Sequence, residues 1–277
     1  MSLTTLDKFR LDGRVCVITG GAGLLGIKHA EALLDAGASV ILVDIKKDRL
    51  DEVVARLSDQ PNCRSRVCGF DLDITSEASV LFYVEHMWHA FGPISILINN
   101  AANNPRPEDG GNMTRLENFP LKIWQDDFSV GVTGAFLMSR EIGKRMAGDG
   151  GGVILNIASD LGIVAPDQRI YRQEEPEANE QPVKPVTYSV TKHALIGLTK
   201  YLATYWADKG VRVNSISPGG VYDNQPNDFV AKLTNLIPMG RMARADEYKA
   251  AVLFLCSDAS SYMTGANLVI DGGRTCW

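Results

Sequence analysis

The chain has 277 residues, 45% hydrophobic and 22% charged, with a formal net charge of -5 at pH 7. This composition fits a large buried core and excludes a disordered or collagen-like chain. The acidic balance argues against a broad nucleic-acid or anionic-lipid footprint, which needs clustered Lys and Arg.

The N-terminal MSLTTLDKFRLDGR carries charges where a secretion signal needs an apolar centre, and no later run reaches the length of a membrane span. A cytoplasmic location is expected. The five cysteines form no C-x-x-C pair, so neither a disulfide framework nor a zinc site is expected.

The first β-branched run, 15–19, reads as a buried strand leading through Thr19-Gly20-Gly21-Ala22-Gly23-Leu24-Leu25-Gly26 into a helix over 24–36. Small residues at such a turn let the backbone approach a pyrophosphate, and the helix N-terminus offers free N–H groups and a positive dipole end. Gly20, Gly23, Leu24, Leu25 and Gly26 are therefore candidate cofactor contacts. The plainer alternative is a tight strand-to-helix turn.

A second strand, 39–44, ends at Asp44, where a carboxylate can accept from adenosine ribose hydroxyls and would repel a 2′-phosphate. This favours NAD over NADP. Lys46, Lys47 and Arg49 follow, and they either compensate a phosphate or form a solvated helix face.

A helix over 50–58 precedes a third strand, after which Asp73 and Ile74 fall at the sheet end. A helix over 77–91 leads to strand 94–99, after which Asn100, Ala101 and Ala102 occupy the equivalent place. A long helix over 121–146, a strand over 153–158, a helix over 187–209 and a strand over 211–217 complete the pattern. The βαβα rhythm predicts an α/β fold: one Rossmann-type domain over 1–277, a doubly wound parallel sheet with helices on both faces.

The segment 160–186, rich in Pro, Glu, Gln and Asn, breaks that rhythm. It reads as a solvated surface insertion or as a substrate lid. Immediately beyond it, Tyr188 and Lys192 stand four residues apart on one helix face. An ammonium beside a phenol favours the phenolate, lowering the phenol pKa toward neutrality, so that Tyr188 can exchange a proton. Ser159, at a strand end, can hydrogen-bond a reacting oxygen whose charge changes.

TGGAGLLG, NNAA, Ser159 in NIASD, YSVTK and VRVNSISPGG occur in this order across nearly the whole chain. Together they resemble the short-chain dehydrogenase/reductase family. The resemblance implies that Tyr188 is the general acid/base, that Lys192 binds the nicotinamide ribose and tunes Tyr188, and that Ser159 orients the substrate oxygen. It also implies that Pro218, Gly219 and Val221 flank the nicotinamide, that 222–236 forms part of a mobile substrate cover, and that MTGANLVIDGG is the last strand. A homodimer or homotetramer assembled through the long helices is implied as well. His193 and Trp277 are expected to be packing residues.

Three departures from the family pattern stand out. The T-G-x-x-G-x-x-G spacing is more typical of the family's larger nucleotide-sugar epimerase and dehydratase branch. Gly131 falls where the shorter branch usually has an Asn that holds a relay water, so that either water alone, Ser129 or the inserted loop takes that part, or catalysis is slow. Ser159 and Tyr188 are 188 - 159 = 29 positions apart, where the family usually has about a dozen. The extra residues make Asp167, Gln168, Arg169, Tyr171, Arg172 and Lys184 candidate contacts for a polar substrate, Arg being suited to phosphate or carboxylate.

A polar lid suits a hydroxylated substrate better than a steroid or long acyl chain. Several motifs also resemble a bacterial oxidoreductase subgroup linked to surface-polysaccharide sugar pathways. The expected reaction is hydride transfer between NAD and a secondary alcohol or ketone of a sugar-type molecule. Two alternatives are a 3-oxoacyl thioester reductase and a non-catalytic NAD-binding regulator.

Overall fold

Strands β1 (Val15–Thr19) and β2 (Ser39–Asp44) run side by side in parallel, Val17 opposite Ile41, and both are built from β-branched and aliphatic residues. Along β1 the side chains alternate between two apolar layers. Cys16 and Ile18 enter one with Leu33 and Leu255, while Val15 and Val17 enter the other with Val84, Met138 and Leu202. A strand with helices on both faces has no polar side, which is why these runs read as continuously hydrophobic.

The computed structural model describes residues 4–61, 63–104, 111–173, 177 and 180–277. Within them, β3 (Val67–Asp71), β4 (Ile94–Asn99), β5 (Gly152–Ile157), β6 (Val211–Pro218) and β7 (Asn267–Ile270) complete a seven-stranded sheet. Its order is β3-β2-β1-β4-β5-β6-β7, and every pairing is parallel. The order reverses between β1 and β4, the place where open α/β sheets leave a crevice at their carboxyl ends. The fold is the expected single Rossmann-type domain, and β7 falls within the MTGANLVIDGG segment.

Helices α1 (Leu24–Asp35), α2 (Lys47–Ser58) and α3 (Glu77–Phe91) lie close to their expected places. The long helix expected over 121–146 is three pieces: α4 (Leu121–Phe128), a π-helical stretch Ser129–Gly134, and α5 (Ala135–Gly148). At Gly134 a Cβ would stand 2.6 Å from Ile74 Cδ1, so this stretch packs closer than a side chain permits. The helix expected over 187–209 ends earlier: α6 (Val186–Tyr205) is followed by a 3-10 turn, Ala207–Lys209. Gly210 then turns the chain at φ +72° into β6.

Of the 160–186 insertion, residues 174–176, 178 and 179 lie outside the described residues. The remainder holds two 3-10 turns, Asp160–Gly162 and Gln168–Tyr171. The second packs against α7 (Asn227–Thr234): Ile170 joins Leu233, Ile237 and Met242 in a third apolar cluster, and the Tyr171 and Phe229 rings lie 5.5 Å apart. Helix α8 (Lys249–Cys256) packs against α1 on the sheet face that Cys16 and Ile18 enter.

Candidate active site

The carboxyl ends of β1 to β4 open into a cavity lined by Gly20, Gly23, Leu24, Leu25, Asp44, Asp73, Ile74, Asn100, Ala101 and Ala102, among others. Gly20 sits in the left-handed region at φ +61°, and a Cβ there would stand 2.8 Å from Ala101 Cα. Gly26 does not line the cavity. A Cβ on it would stand 2.3 Å from the Gly20 carbonyl oxygen, so its glycine seats α1 against the turn. Among the described residues, no side chain caps the start of α1. An uncapped helix start beside a side-chain-free cradle fits a pyrophosphate.

Hydrogen bonds hold the walls of this cavity. The Asp44 carboxylate accepts from Ala22 N at 3.1 Å and from Lys46 N at 3.0 Å. Asn100 Nδ2 donates to the carbonyls of Thr19 and Gly20 at 3.1 and 3.0 Å, tying the end of β4 to the glycine turn. Asp73 Oδ1 accepts from Thr75 N and its hydroxyl. Lys46 and Arg49 line the cavity near Asp44, whereas Lys47 points its ammonium to Asp51, 2.5 Å away.

A second cavity contains Ser159, Tyr188, Lys192, Pro218, Gly219 and Val221, and it shares Leu24, Leu25, Asn100 and Ala102 with the first. The Tyr188 hydroxyl hydrogen-bonds Ser159. Ser159 Oγ lies 2.8 Å from Asp160 Oδ1, to which it donates, and accepts from Leu161 N at 3.2 Å. Lys192 is buried and donates to the Ile157 carbonyl at 2.7 Å, its Nζ 5.8 Å from the Tyr188 ring centroid. Lys184 Nζ lies 4.0 Å over that same ring and donates to Asn104 Oδ1 at 2.7 Å.

The electrostatics correct one expectation. The Tyr188 phenol stands above its ordinary value rather than below it. Burial is the largest cause, the Ser159 hydrogen bond pulls the other way, and the negative charge of Asp160 pushes it further up. Lys192 gives its hydrogen bond to Ile157, and burial, aided by repulsion from Lys184, lowers its ammonium to about 8.

Of the insertion's six candidates, Tyr171 and Lys184 line the second cavity; Asp167, Gln168, Arg169 and Arg172 do not. Arg169 is turned outward by its neighbour, its Nε and Nη2 bonding the two carboxylate oxygens of Asp167 at 2.8 and 2.6 Å. Gln168 accepts from Lys184 N, and the Arg172 carbonyl accepts from Lys232 Nζ. His193 and Trp277 are exposed rather than packed; one residue beyond Lys192, the helix has turned His193 toward solvent.

Three residues of this site have no place in the sequence reading. Asp160 and Arg274 line the cavity as an ion pair of 2.5 Å with side chains 4% and 8% exposed. Gly162 lets the turn after β5 lie directly on α6, since a Cβ there would stand 2.9 Å from the Lys192 backbone. Only the order "Ser, acid, x, Gly" hinted at the turn, and nothing local pointed to Arg274.

Comparison with known proteins agrees with this geometry. The short chain dehydrogenase profile matches residues 14–171, and a profile described as Enoyl-(Acyl carrier protein) reductase matches residues 178–275. A D-threitol dehydrogenase of Mycolicibacterium smegmatis is 36% identical over 96% of this chain and 95% of its own. An NAD-dependent glycerol dehydrogenase of Listeria innocua is 32% identical, covering 99% of both chains. The crystal structure of a gluconate 5-dehydrogenase from Burkholderia cenocepacia, in complex with NADP and tartrate, superposes with a TM-score of 0.85 at 28% identity, covering 99% of this chain and 100% of that one. The chain belongs to the short-chain dehydrogenase/reductase family and is an oxidoreductase.

Proposed function

We propose that this protein is an NAD-dependent dehydrogenase that interconverts a secondary alcohol and a ketone on a small polyol or sugar-type substrate. The observation that carries this reading is the meeting of Ser159, Tyr188 and Lys192 in a cavity that shares its wall with the glycine-turn cavity. Asn104, Asp223, Gln225 and Lys184 give the substrate side hydroxyl-binding groups, which an apolar steroid or acyl chain would leave unmatched. The threitol and glycerol dehydrogenases among the relatives support a hydroxylated substrate.

NAD would lie along Gly20, Gly23, Leu24, Leu25 and Asp73 to Ile74, with Asn100, Ala101, Ala102, Pro218, Gly219 and Val221 beside the nicotinamide half. When bound, it accepts or supplies the hydride. The chain's own residues handle the proton. Tyr188 takes it from the alcohol oxygen in one direction and returns it to the ketone oxygen in the other. Ser159 hydrogen-bonds that oxygen as its charge changes, and Lys192, protonated below about 8, holds the ribose and supplies positive charge beside the phenol. Asp44 selects NAD: its carboxylate is fixed by two backbone N–H groups and cannot turn away from a 2′-phosphate. The working form is a homodimer or homotetramer, supported by the exposed, stacked Tyr201 and Tyr205 on α6.

The test is a titration of NAD and NADP, followed by turnover on a panel of tetritols, pentitols, hexitols, glycerol and aldonates. The expected result is tighter NAD binding with turnover on at least one polyol. Asp44→Ala should weaken NAD by roughly 10-fold to 100-fold, the loss of hydrogen bonds to a charged group. Tighter binding of NADP by the unmodified protein would overturn the assignment of Asp44.

A further inference from the structure

The Ser159 hydroxyl has one proton and two claimants. The Asp160 carboxylate, paired with Arg274, accepts, so the 2.8 Å contact between Ser159 Oγ and Asp160 Oδ1 commits that proton to Asp160. With its proton on Asp160, Ser159 cannot at the same time donate to the Tyr188 oxygen, the direction in which their hydrogen bond lowers the phenol. For Tyr188 to accept a proton as phenolate, the Ser159 proton has to turn from Asp160 toward the phenolate or the substrate oxygen. How readily it turns depends on how strongly Asp160 holds it.

Arg274 weakens that hold. Its Nη1 lies 2.5 Å from Asp160 Oδ2, and Leu161 N donates to Oδ1 at 2.8 Å. Both partners are at most 9% exposed, so the guanidinium rather than water compensates the carboxylate. Arg274 comes from the segment after β7, 114 residues away from Asp160, and both face the substrate cavity. Among the described residues, the other charged groups on this cavity are Lys192 on the helix of Tyr188, Lys184 over its ring and Asp223.

We propose that Asp160 and Arg274 are positioning residues that set the direction of the Ser159 hydrogen bond and hence how easily Tyr188 gives up its proton. This inference rests on the reading of Tyr188 as the acid/base. The two members of the pair act with opposite sign. The Asp160 charge disfavours the phenolate, so removing it lowers the pH at which Tyr188 ionises. Arg274 screens that charge, so removing it raises that pH. A role confined to packing would lower activity in both variants without separating their ionisation.

The experiment is an NMR titration of the full-length protein labelled with 13C at tyrosine Cζ, with and without saturating NAD, the Tyr188 resonance assigned by its loss in Tyr188→Phe. Asp160→Asn, which keeps the shape and the contact with Ser159, should lower the Tyr188 midpoint by about one unit, and Arg274→Met should raise it by about one unit, the size expected for a nearby charge. The double variant should follow Asp160→Asn, because Arg274 has nothing left to screen. The pH profile of kcat/KM on a turned-over polyol should move in the same directions. Asp160→Asn is sufficient alone if Arg274→Met does not fold: a midpoint unchanged within about 0.3 unit, or raised, would overturn the proposal. Lack of turnover on every polyol would remove the substrate class proposed above, while the NMR midpoints would still decide the role of the pair.

Discussion

The two halves of the site are built in different ways. On the cofactor side, each contact has a backbone partner: Gly20 and Gly26 make room for each other, Ala22 N and Lys46 N hold Asp44, and the Asn100 side chain ties two strand ends together through carbonyls. On the substrate side, residues 159, 184, 188 and 274 converge from three segments, and their relations run between side chains, with one ion pair, Arg274 to Asp160, among them. A backbone cradle works for any protein that binds the same cofactor, whereas a set of distant charged side chains can be altered one residue at a time.

The strongest test of this contrast is Tyr188→Phe. It removes one oxygen from the substrate half and leaves the ring, so kcat should fall by roughly 100-fold to 10,000-fold, the range for loss of a general acid/base. NAD affinity, measured by fluorescence titration, should change little. A variant that kept more than a tenth of its turnover would take Tyr188 out of the proton path and return the non-catalytic NAD-binding reading to consideration.

Gly26→Ala tests the other half, with a smaller effect of a different kind. The added methyl would meet the Gly20 carbonyl at 2.3 Å and Gly21 Cα at 3.0 Å, both backbone atoms that cannot swing aside. We expect a loss of about 1–3 kcal/mol in stability, the usual penalty for overpacking, visible as a lower Tm. NAD binding should weaken by about tenfold or more as α1 is pushed off the turn. Normal NAD binding in a stable variant would show that the turn tolerates displacement, and the contrast between the halves would lose its basis.

These two halves were also unequally legible. The glycine turn, Asp44, Asn100 and the Tyr188 to Lys192 spacing are short-range patterns, each with a local physical reason, and the structure places them around two adjoining cavities. The strand positions followed for the same reason, because a strand buried on both faces reads directly as an apolar run. Arg274 and Asp160 were not legible, since a pairing across 114 positions leaves no periodicity to find. Arg169 misled the reading: an arginine in a polar insertion looks like an anion anchor, yet Asp167 two residues earlier is close enough to claim its guanidinium. The ionisation of Tyr188 also depends on burial, and spacing alone carries no measure of burial.

Gly131 offers the smallest expected effect and the sharpest question about where the halves meet. It lies in the π-helical stretch and is buried, but it does not line the cofactor cavity, although its neighbour Val130 does. A Cβ at this position would meet Thr191 Cβ at 3.4 Å and Thr191 Oγ1 at 3.7 Å, contacts that a slight adjustment of one side chain relieves. Gly131→Asn should therefore fold, with stability within about 1 kcal/mol of the parent, since asparagine gains slightly in helix propensity over glycine and meets only a modest contact. NAD affinity should stay within about twofold, as for substitutions outside a binding site. The informative quantity is kcat. Thr191 precedes Lys192 and its hydroxyl is already bonded to the Thr187 and Tyr188 carbonyls, so a new amide beside it stands next to the helix turn that carries Tyr188 and Lys192, the residues proposed to handle the proton. A rise in kcat with unchanged NAD affinity would mean that this chain lacks a relay group which an asparagine can restore. An unchanged kcat would mean that the proton leaves by the Ser159 and Asp160 side, whereas a tenfold loss of NAD binding would contradict the separation of Gly131 from the cofactor half.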